Sequence, residues 1–478
     1  MKKNKTIFVS GMFNILHSGH LRLFKFAREI GSKLIIGVHS DKLASHKAYI
    51  DQKDRLEAVK NCTLVNKVVL IDNSVSETLL NLKPNIVLKG KEFEKIFNEE
   101  TSIVSSYGGK LIFSSGETIY SSKEILSKEF TEFASLKIEL PKDYIERHNI
   151  NLDNIKNVIQ KFKKLKVCVI GDLIIDEYIF CKTLGVSSEE PALAVSPQYK
   201  NKFLGGAGIV AAHSSALGAK VDLISIAGDD SEYHFAKSEL NKIGVNTNII
   251  IDSNRPTTLK QRYRSEDKTL LKVSYLHQSS ISNEVQKEII RRVEKKIKSY
   301  DLIIFSDFNY GCLPQSLVEK ITKIGIKNKI IMTADSQSSS QIGNISRFKK
   351  MNLITPTEKE ARISEQNQQD GIIVIAENII KSSKTKNLIL KSGTDGITIH
   401  STKNRSTLSI TDKLKAFNLA SKDSSGAGDS MLVGSSLVLA SNGTIWESAL
   451  VGSIMASIQV SRTGNIPITS KELIQEIK

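Results

Sequence analysis

Thr6-Ile7-Phe8-Val9-Ser10-Gly11-Met12-Phe13-Asn14-Ile15-Leu16-His17-Ser18-Gly19-His20 opens with a short β-branched apolar run and turns at Ser10-Gly11. It leads into a segment of helical period from Leu21 to Glu29. The alternation continues outward. Leu34-Ile35-Ile36-Gly37-Val38, Val68-Val69-Leu70-Ile71 and Asn85-Ile86-Val87-Leu88 are further apolar runs, separated by amphipathic stretches such as Asp54 to Lys60. This pattern predicts βαβ units and a parallel, doubly wound sheet. A second series starts at Lys166-Val167-Cys168-Val169-Ile170-Gly171. It continues through Val221 to Ile226, Leu302 to Phe305, Ile330 to Met332 and Asn387 to Leu390. Between the two series the pattern lapses at Pro141 and the charged string Lys142 to His148, and a helix is expected from Leu152 to Phe162. The predicted fold class is α/β, with two doubly wound parallel-sheet domains at 1–135 and 164–478 and a linker with a helix at 136–163.

The length of 478 residues suits more than one domain, and 40% hydrophobic with 25% charged residues suits folded, water-soluble cores. A disordered tail, a collagen-like fibre and a membrane-embedded bundle are excluded. No window reaches the about 18 apolar residues of a spanning helix. Met1-Lys2-Lys3-Asn4-Lys5 reads as a basic lead into a strand rather than a signal peptide, so the protein is expected to be cytoplasmic. The four cysteines, Cys62, Cys168, Cys181 and Cys312, form no C-x-x-C pair, and reduced thiols are expected. Lysine plus arginine total 67 against 51 acids, a net charge of +16. The basic residues are spread along the chain, and runs such as Lys161-Phe162-Lys163-Lys164 read as solvated helix faces. Aromatic residues at 6% supply little for base stacking. Small phosphorylated ligands are therefore the expected partners, with neither nucleic acid nor membrane.

Two segments carry chemistry. In the first, His17 and His20 stand at i, i+3 around Gly19, after a strand and ahead of a helix. In open α/β sheets, ligands gather at the carboxyl ends of strands, where helix-start N–H groups hold phosphate. The imidazoles can donate hydrogen bonds to charge developing in a transition state. A two-histidine metal site or histidines that merely cap the turn are the alternatives, and a third ligand at metal spacing is missing. In the second segment, Asp423-Ser424-Ser425-Gly426-Ala427-Gly428-Asp429 precedes an apolar helix pattern from Ser430 to Ala440. Small residues let successive N–H groups converge on one anion, helped by the helix dipole, and Asp429 beside that anion hole can take a proton from an attacking hydroxyl.

The first segment resembles the G-x-F-D-x-x-H-x-G-H motif of the nucleotidyltransferase superfamily, which includes cytidylyl- and adenylyltransferases. Arg55 in Asp51-Gln52-Lys53-Asp54-Arg55, Lys89-Gly90-Lys91 and Tyr120-Ser121-Ser122 look like the same family's later motifs. The last two are most similar to the adenylyltransferase domain of bifunctional proteins that make ADP-heptose. By that resemblance, His17 and His20 are catalytic, and Gly11, Phe13, Asn14, Arg55, Lys89, Tyr120, Ser121 and Ser122 bind nucleotide or phosphate. A sugar 1-phosphate would attack the α-phosphorus of a nucleoside triphosphate, pyrophosphate would leave, and Mg²⁺ would shield the charge. Asn14 stands where the family has aspartate.

The second segment resembles the D-x-x-G-A-G-D motif of ribokinase-like sugar kinases. Gly171-Asp172-x-x-x-Asp176, Gly205-Gly206-Ala207, Pro256-Thr257-Thr258, Ser306-Asp307 and Leu353-Ile354-Thr355-Pro356-Thr357-Glu358-x-Glu360 follow in that family's order. The resemblance implies Asp429 as catalytic base, with Asp423, Gly426, Ala427 and Gly428 at the nucleotide phosphates. Asp172, Asp176, Gly205 and Gly206 would hold the sugar, and Glu360 would help organise Mg²⁺. Segments near 177 to 200 and 256 to 275 would form a small β-sheet lid. Ile209, Thr357 and Asn309-Tyr310 depart from the family pattern. Together the resemblances imply a sugar kinase and nucleotidyltransferase using ATP and Mg²⁺ on sugar phosphates, closest to ADP-heptose synthesis for a surface glycan, with a dimer formed through the kinase domain. The alternative is a cytidylyl- or adenylyltransferase for another sugar or polyol phosphate, whose kinase-like domain only binds and regulates.

Overall fold

The computed structural model describes the chain apart from residues 1–4, 17, 46–47, 91–97, 115–137, 188, 266–267, 339–342, 403–408, 419–421 and 478. Two compact units divide it, Met1–Ser135 and Leu136–Lys478.

In the first unit, β1 (Thr6–Gly11), β2 (Lys33–His39), β3 (Lys67–Ile71), β4 (Ile86–Gly90) and β5 (Lys110–Ser114) form a wholly parallel sheet in the order β3-β2-β1-β4-β5. Alternate residues of each strand point to opposite faces. Ile7, Val9, Ile36 and Leu88 therefore pack in one core layer, while Phe8, Ile35 and Val87 pack in the other. Burial on both faces explains why these strands read as continuous apolar runs. Chain direction across the sheet reverses between β1 and β4, so the crevice at their carboxyl ends, beside Gly11 and Gly90, is where such a sheet receives ligands.

In the second unit the large sheet has nine strands. They are β6 (Lys166–Gly171), β9 (Lys220–Ala227), β10 (Asn246–Ile251), β13 (Leu302–Asp307), β14 (Ile331–Ser336), β15 (Leu353–Ile354), β16 (Asn387–Lys391), β17 (Ile397–Thr402) and β18 (Ser409–Leu414). The order is β10-β9-β6-β13-β14-β15-β16-β17-β18. The first seven are parallel, β17 pairs antiparallel with β16 and β18 antiparallel with β17, an edge that the βαβ pattern did not predict. A separate sheet of β7 (Leu173–Val186), β8 (Leu193–Gly206), β11 (Thr258–Ser265) and β12 (Lys268–Tyr275), ordered β12-β11-β7-β8, is the expected lid. Its inner strand ends are buried (Leu173 to Ile179), and its outer ends are exposed (Lys182 to Val186).

Of residues 136–163, expected as a linker, the described part from 138 onward packs within the second unit. Helices Lys142–Arg147 and Leu152–Lys161 bury Tyr144, Ile155, Val158 and Ile159 in the same core layer as β6 and β9. The spacing of Ile155, Val158, Ile159 and Phe162 makes one helical face apolar, and that face needs a partner. Tyr144 donates its hydroxyl to Trp446 O (3.0 Å), and the His148 ring stacks on Trp446 at 3.9 Å.

Candidate active sites

In the first unit the turn after β1 delivers Phe13 in a left-handed conformation (φ 50°), buried against Phe24, with the His20 ring edge-on at 5.0 Å. His20 lies in the first turn of helix Ser18–Ile30, at the carboxyl end of β1, where phosphate binding is expected. Asn14 is buried, and its Oδ1 accepts the Tyr49 N–H at 3.0 Å, so it ties the turn to the segment ahead of helix Gln52–Lys60. His17, Tyr120, Ser121 and Ser122 lie outside the described residues.

Arg55 and Lys89 are more committed to the protein than a phosphate-binding role implies. Arg55 is almost fully buried. Its guanidinium donates to Ile50 O (2.8 Å), Met12 O (2.7 Å), His39 O (2.8 Å) and Asp41 Oδ1 (2.5 Å). It thereby fixes the turn after β1 and the end of β2. Burial, then the Arg55 charge, holds the His39 imidazole below its usual range. Lys89 Nζ donates to Asn98 Oδ1 (2.9 Å) and Glu100 Oε1 (2.7 Å). Arg55→Met leaves three backbone carbonyls without their donor. It is expected to destabilise the first unit by about 3 kcal/mol. Denaturation followed by circular dichroism should show an early transition, while fluorescence of Trp446, the one tryptophan of the chain, should keep its midpoint.

The second unit presents a cleft of about 560 Å³ lined by both halves of the fold. One wall is the segment Ser424 to Asp429 at the start of helix Ala427–Ala440. Gly426 adopts φ +74°, and a Cβ there would stand 2.3 Å from Asn465 Oδ1, so glycine is required for this turn. Asp429 is buried in the first helical turn. Burial, then the Asp335 carboxylate, pushes it up to about 7, with Lys391 opposing. A carboxylate poised near neutrality suits a general base.

Asp423 does not line this cleft. Its carboxylate accepts from the Tyr178 hydroxyl (2.6 Å), Arg264 Nη1 (3.3 Å), Ser425 N–H (3.0 Å) and Gly464 N–H (3.0 Å). Burial alone would raise it, but these donors hold it below the usual carboxylate range. Asp423 is thus a brace between the lid strands and the anion-hole turn.

The opposite wall carries Asp176, Lys260, Arg262 and Phe308. Asp176 is buried. It accepts from Asn465 Nδ2 (3.1 Å) and Arg262 Nη2 (3.4 Å). Lys260 lies over the rings of Phe308 and Tyr310 at 4.8 and 5.0 Å. Gly206 lines the cleft, and Gly205 backs Asp176: a Cβ there would stand 2.5 Å from Asp176 Oδ2. Gly205→Ala is therefore expected to displace this carboxylate and weaken a ligand held by Asp176 about tenfold, about 1.4 kcal/mol, as read by calorimetry.

Asp172 differs from its expected sugar-binding role. It is buried outside the cleft and accepts the N–H groups of Phe308 (2.8 Å), Cys312 (3.1 Å) and Tyr310 (3.4 Å). Burial and the nearby Asp307 push it up to about 6, against those three donors. It shapes the loop that brings Phe308 to the cleft. Ile209 is buried in helix Ala207–Ala216 and touches no part of the cleft, so its departure from the family pattern is one of packing. Thr357 caps helix Glu358–Ser364. Glu360 lines the cleft, with Oε2 accepting Thr357 N–H (2.7 Å) and Oε1 accepting Ser338 N–H (3.1 Å). Among the described residues no group of three His, Cys, Asp or Glu is placed to hold a metal ion.

Asp335, Lys391 and Asn465 were not singled out in the sequence. Asp335 and Lys391 pair at 2.7 Å. Each ends or nearly ends a parallel strand, and the rule that ligands gather at strand carboxyl ends could have found them.

A family model of pfkB carbohydrate kinases matches residues 164–472, and a cytidylyltransferase-like model matches residues 8–175. The chain belongs to the pfkB carbohydrate kinase family. Its second unit is thus the pfkB unit. The bifunctional protein HldE of Aliarcobacter butzleri (strain RM4018) is 29% identical over 317 residues, covering 66% of this chain and 64% of that protein. HldE of Desulfatibacillum aliphaticivorans is 28% identical over 324 residues, covering 67% and 64%. The chain thus spans a little under two thirds of the length of these relatives. Phosphofructokinase-2 from Escherichia coli, solved with substrates and products, superposes with a TM-score of 0.54 at 17% identity, covering 66% of this chain and 98% of that one. This likeness is one of fold. No helix among the described residues is long and apolar enough to cross a membrane.

Proposed function

We propose that the chain is a bifunctional transferase that prepares a nucleotide-activated sugar, most closely ADP-heptose. The pfkB unit would phosphorylate heptose 7-phosphate at its anomeric hydroxyl with ATP, and the first unit would transfer AMP from ATP to heptose 1-phosphate. The observation that carries the kinase reading is Asp429, a buried carboxylate that lines the cleft in the first turn of a glycine-rich helix start. In this reading the N–H groups of Ser425 to Gly428 hold nucleotide phosphate, and Asp429 takes the sugar's proton. Asp176 binds sugar hydroxyls, and Lys260 and Arg262 meet the substrate's existing phosphate. The donor set fits a hydrated Mg²⁺ that arrives with the nucleotide, because Glu360 keeps acceptor capacity beyond its two N–H partners. Bound there, the ion would shield phosphate charge.

The first unit's reading rests on His20 at the end of β1 within a doubly wound sheet. Cytidylyl transfer to another sugar or polyol phosphate is the competing assignment. The test supplies the full chain with a panel of sugar phosphates and either ATP or CTP, and reads ADP and pyrophosphate separately. ATP-dependent pyrophosphate release with heptose 1-phosphate is expected; a clear preference for CTP removes the ADP-heptose assignment.

Association is proposed through the lid, whose strands expose Leu184, Val186, Leu193, Tyr199, Leu271 and Tyr275. Sedimentation equilibrium should give a dimer, and Val186→Lys should weaken it.

A further inference from the structure

Lys391 belongs to no motif that the sequence offered, yet it ends β16 at the anion hole. Its side chain is only 11% exposed, and its ammonium donates to Asp335 Oδ2 at 2.7 Å. A Cβ built on Gly428 would stand 3.0 Å from Lys391 Nζ, so the ammonium presses against the first turn of helix Ala427–Ala440. The backbone fixes this placement. Lys391 N–H donates to Pro356 O at 2.8 Å, and Lys391 bridges Thr357 in parallel register.

The charges around the cleft are unequally divided. Among the described residues its lining cations are Lys260, Arg262 and Lys391. Lys260 and Arg262 come from lid strand β11, on the wall of Asp176, whereas Lys391 comes from the main sheet beside Gly428. Around Lys391 stand the carboxylates of Asp335, Glu360 and Asp429, all of which favour its charged form. An ammonium has three donors, and Asp335 uses one. The surrounding carboxylates keep the ammonium charged, and its donor capacity beyond Asp335 lies beside Gly428. A nucleotide's terminal phosphate at Gly428 would lie next to it.

We propose that Lys391 is a catalytic residue of the pfkB unit, held by Asp335 until nucleotide binds, that contacts the γ-phosphoryl group and stabilises its charge during transfer. This rests on the kinase reading above. The transfer itself balances simply: the sugar oxygen bonds to the γ-phosphorus, the bond to the β-phosphate oxygen breaks, the hydroxyl proton goes to Asp429, and ADP leaves. Lys391 forms no covalent bond. Its ammonium acts as a point charge on the equatorial oxygens.

The test uses the full chain with Lys391→Met, which keeps length and removes charge, and Lys391→Arg, which keeps charge. Binding of ADP and of a non-hydrolysable ATP analogue with an imido β,γ bridge is measured by calorimetry, alongside ADP release on heptose 7-phosphate. Lys391→Met is expected to lower kcat by about 10²–10³-fold, the loss seen when one transition-state donor is removed. It should weaken the analogue at least tenfold and ADP less than twofold, and Lys391→Arg should recover part of both losses. Equal weakening of analogue and ADP, or none, with the protein folded, overturns the assignment whatever the turnover. Wild-type protein inert on every sugar phosphate, with the analogue-selective loss intact, leaves the Lys391 contact standing and removes the kinase reading instead.

Discussion

Asp429→Asn is expected to lower turnover by the pfkB unit by about 10²–10⁴-fold, the contribution of a positioned general base, while ATP binding is kept or tightened. A carboxylate beside a phosphate site repels the ground-state ligand, and the repulsion is useful only if the carboxylate accepts a proton as the new bond forms. The Asp429 pKa of about 7 gives the pH dependence. The base works deprotonated, so wild-type turnover should rise with pH through about 7, and the residual turnover of Asp429→Asn should lose that limb. Stability moves the other way. Because the folded state holds the Asp429 proton up to about pH 7 and the unfolded chain loses it near the ordinary carboxylate value of 3.8, the folded state binds more protons between these limits. This residue's contribution is full below about pH 3.8 and lost as pH rises to about 7. Asp429→Asn should therefore raise Tm at pH 8 relative to wild type and change it little at pH 4. A Tm difference independent of pH would mean that Asp429 is charged throughout.

If His20 acts as proposed, His20→Ala is expected to lower pyrophosphate release by about 10²–10³-fold, the loss that follows removal of one transition-state donor. ADP release by the pfkB unit should stay within twofold, because the two chemistries sit in different units. Packing of His20 against Phe13 and Phe24 gives its loss a structural cost as well. His20→Gln keeps a donor and much of the volume, and should recover part of the activity if hydrogen bonding rather than packing is responsible. Loss of both activities together in a folded protein would contradict two independent sites.

The parallel sheets were legible because burial on both faces leaves an unbroken β-branched run, as in Ile7-Phe8-Val9 and Ile303-Ile304-Phe305. The antiparallel edge of β17 and β18 carries no such mark, since an edge hairpin shares its residue types with any exposed strand. The helix at 152–161 was visible, whereas 142–147 read only as a charged string, and in both a charged outer face hid the apolar residues that dock them. In the sites, motif residues divided by a rule that local sequence does not show. Asp176, Gly426 and Asp429 face the cleft, whereas Asp172, Asp423 and Arg55 spend their hydrogen-bonding groups on backbone and neighbouring side chains. A buried charged residue at a motif position can be a ligand contact or a brace, and only the position of its partners separates the two. Lys391 was missed for the converse reason: a lysine closing an apolar strand looks solvated until β14 places Asp335 beside it.

The pfkB unit is proposed to perform sugar-phosphate chemistry rather than only bind its ligand. Phosphorus NMR of the full chain with heptose 7-phosphate, ATP and Mg²⁺ tests it most directly. A new phosphate resonance coupled to the anomeric proton is expected, growing in step with ADP and absent from Asp429→Asn over the same interval. Saturable binding of heptose 7-phosphate and other sugar phosphates, with no new resonance and no ADP, would contradict it and leave a domain that binds and regulates.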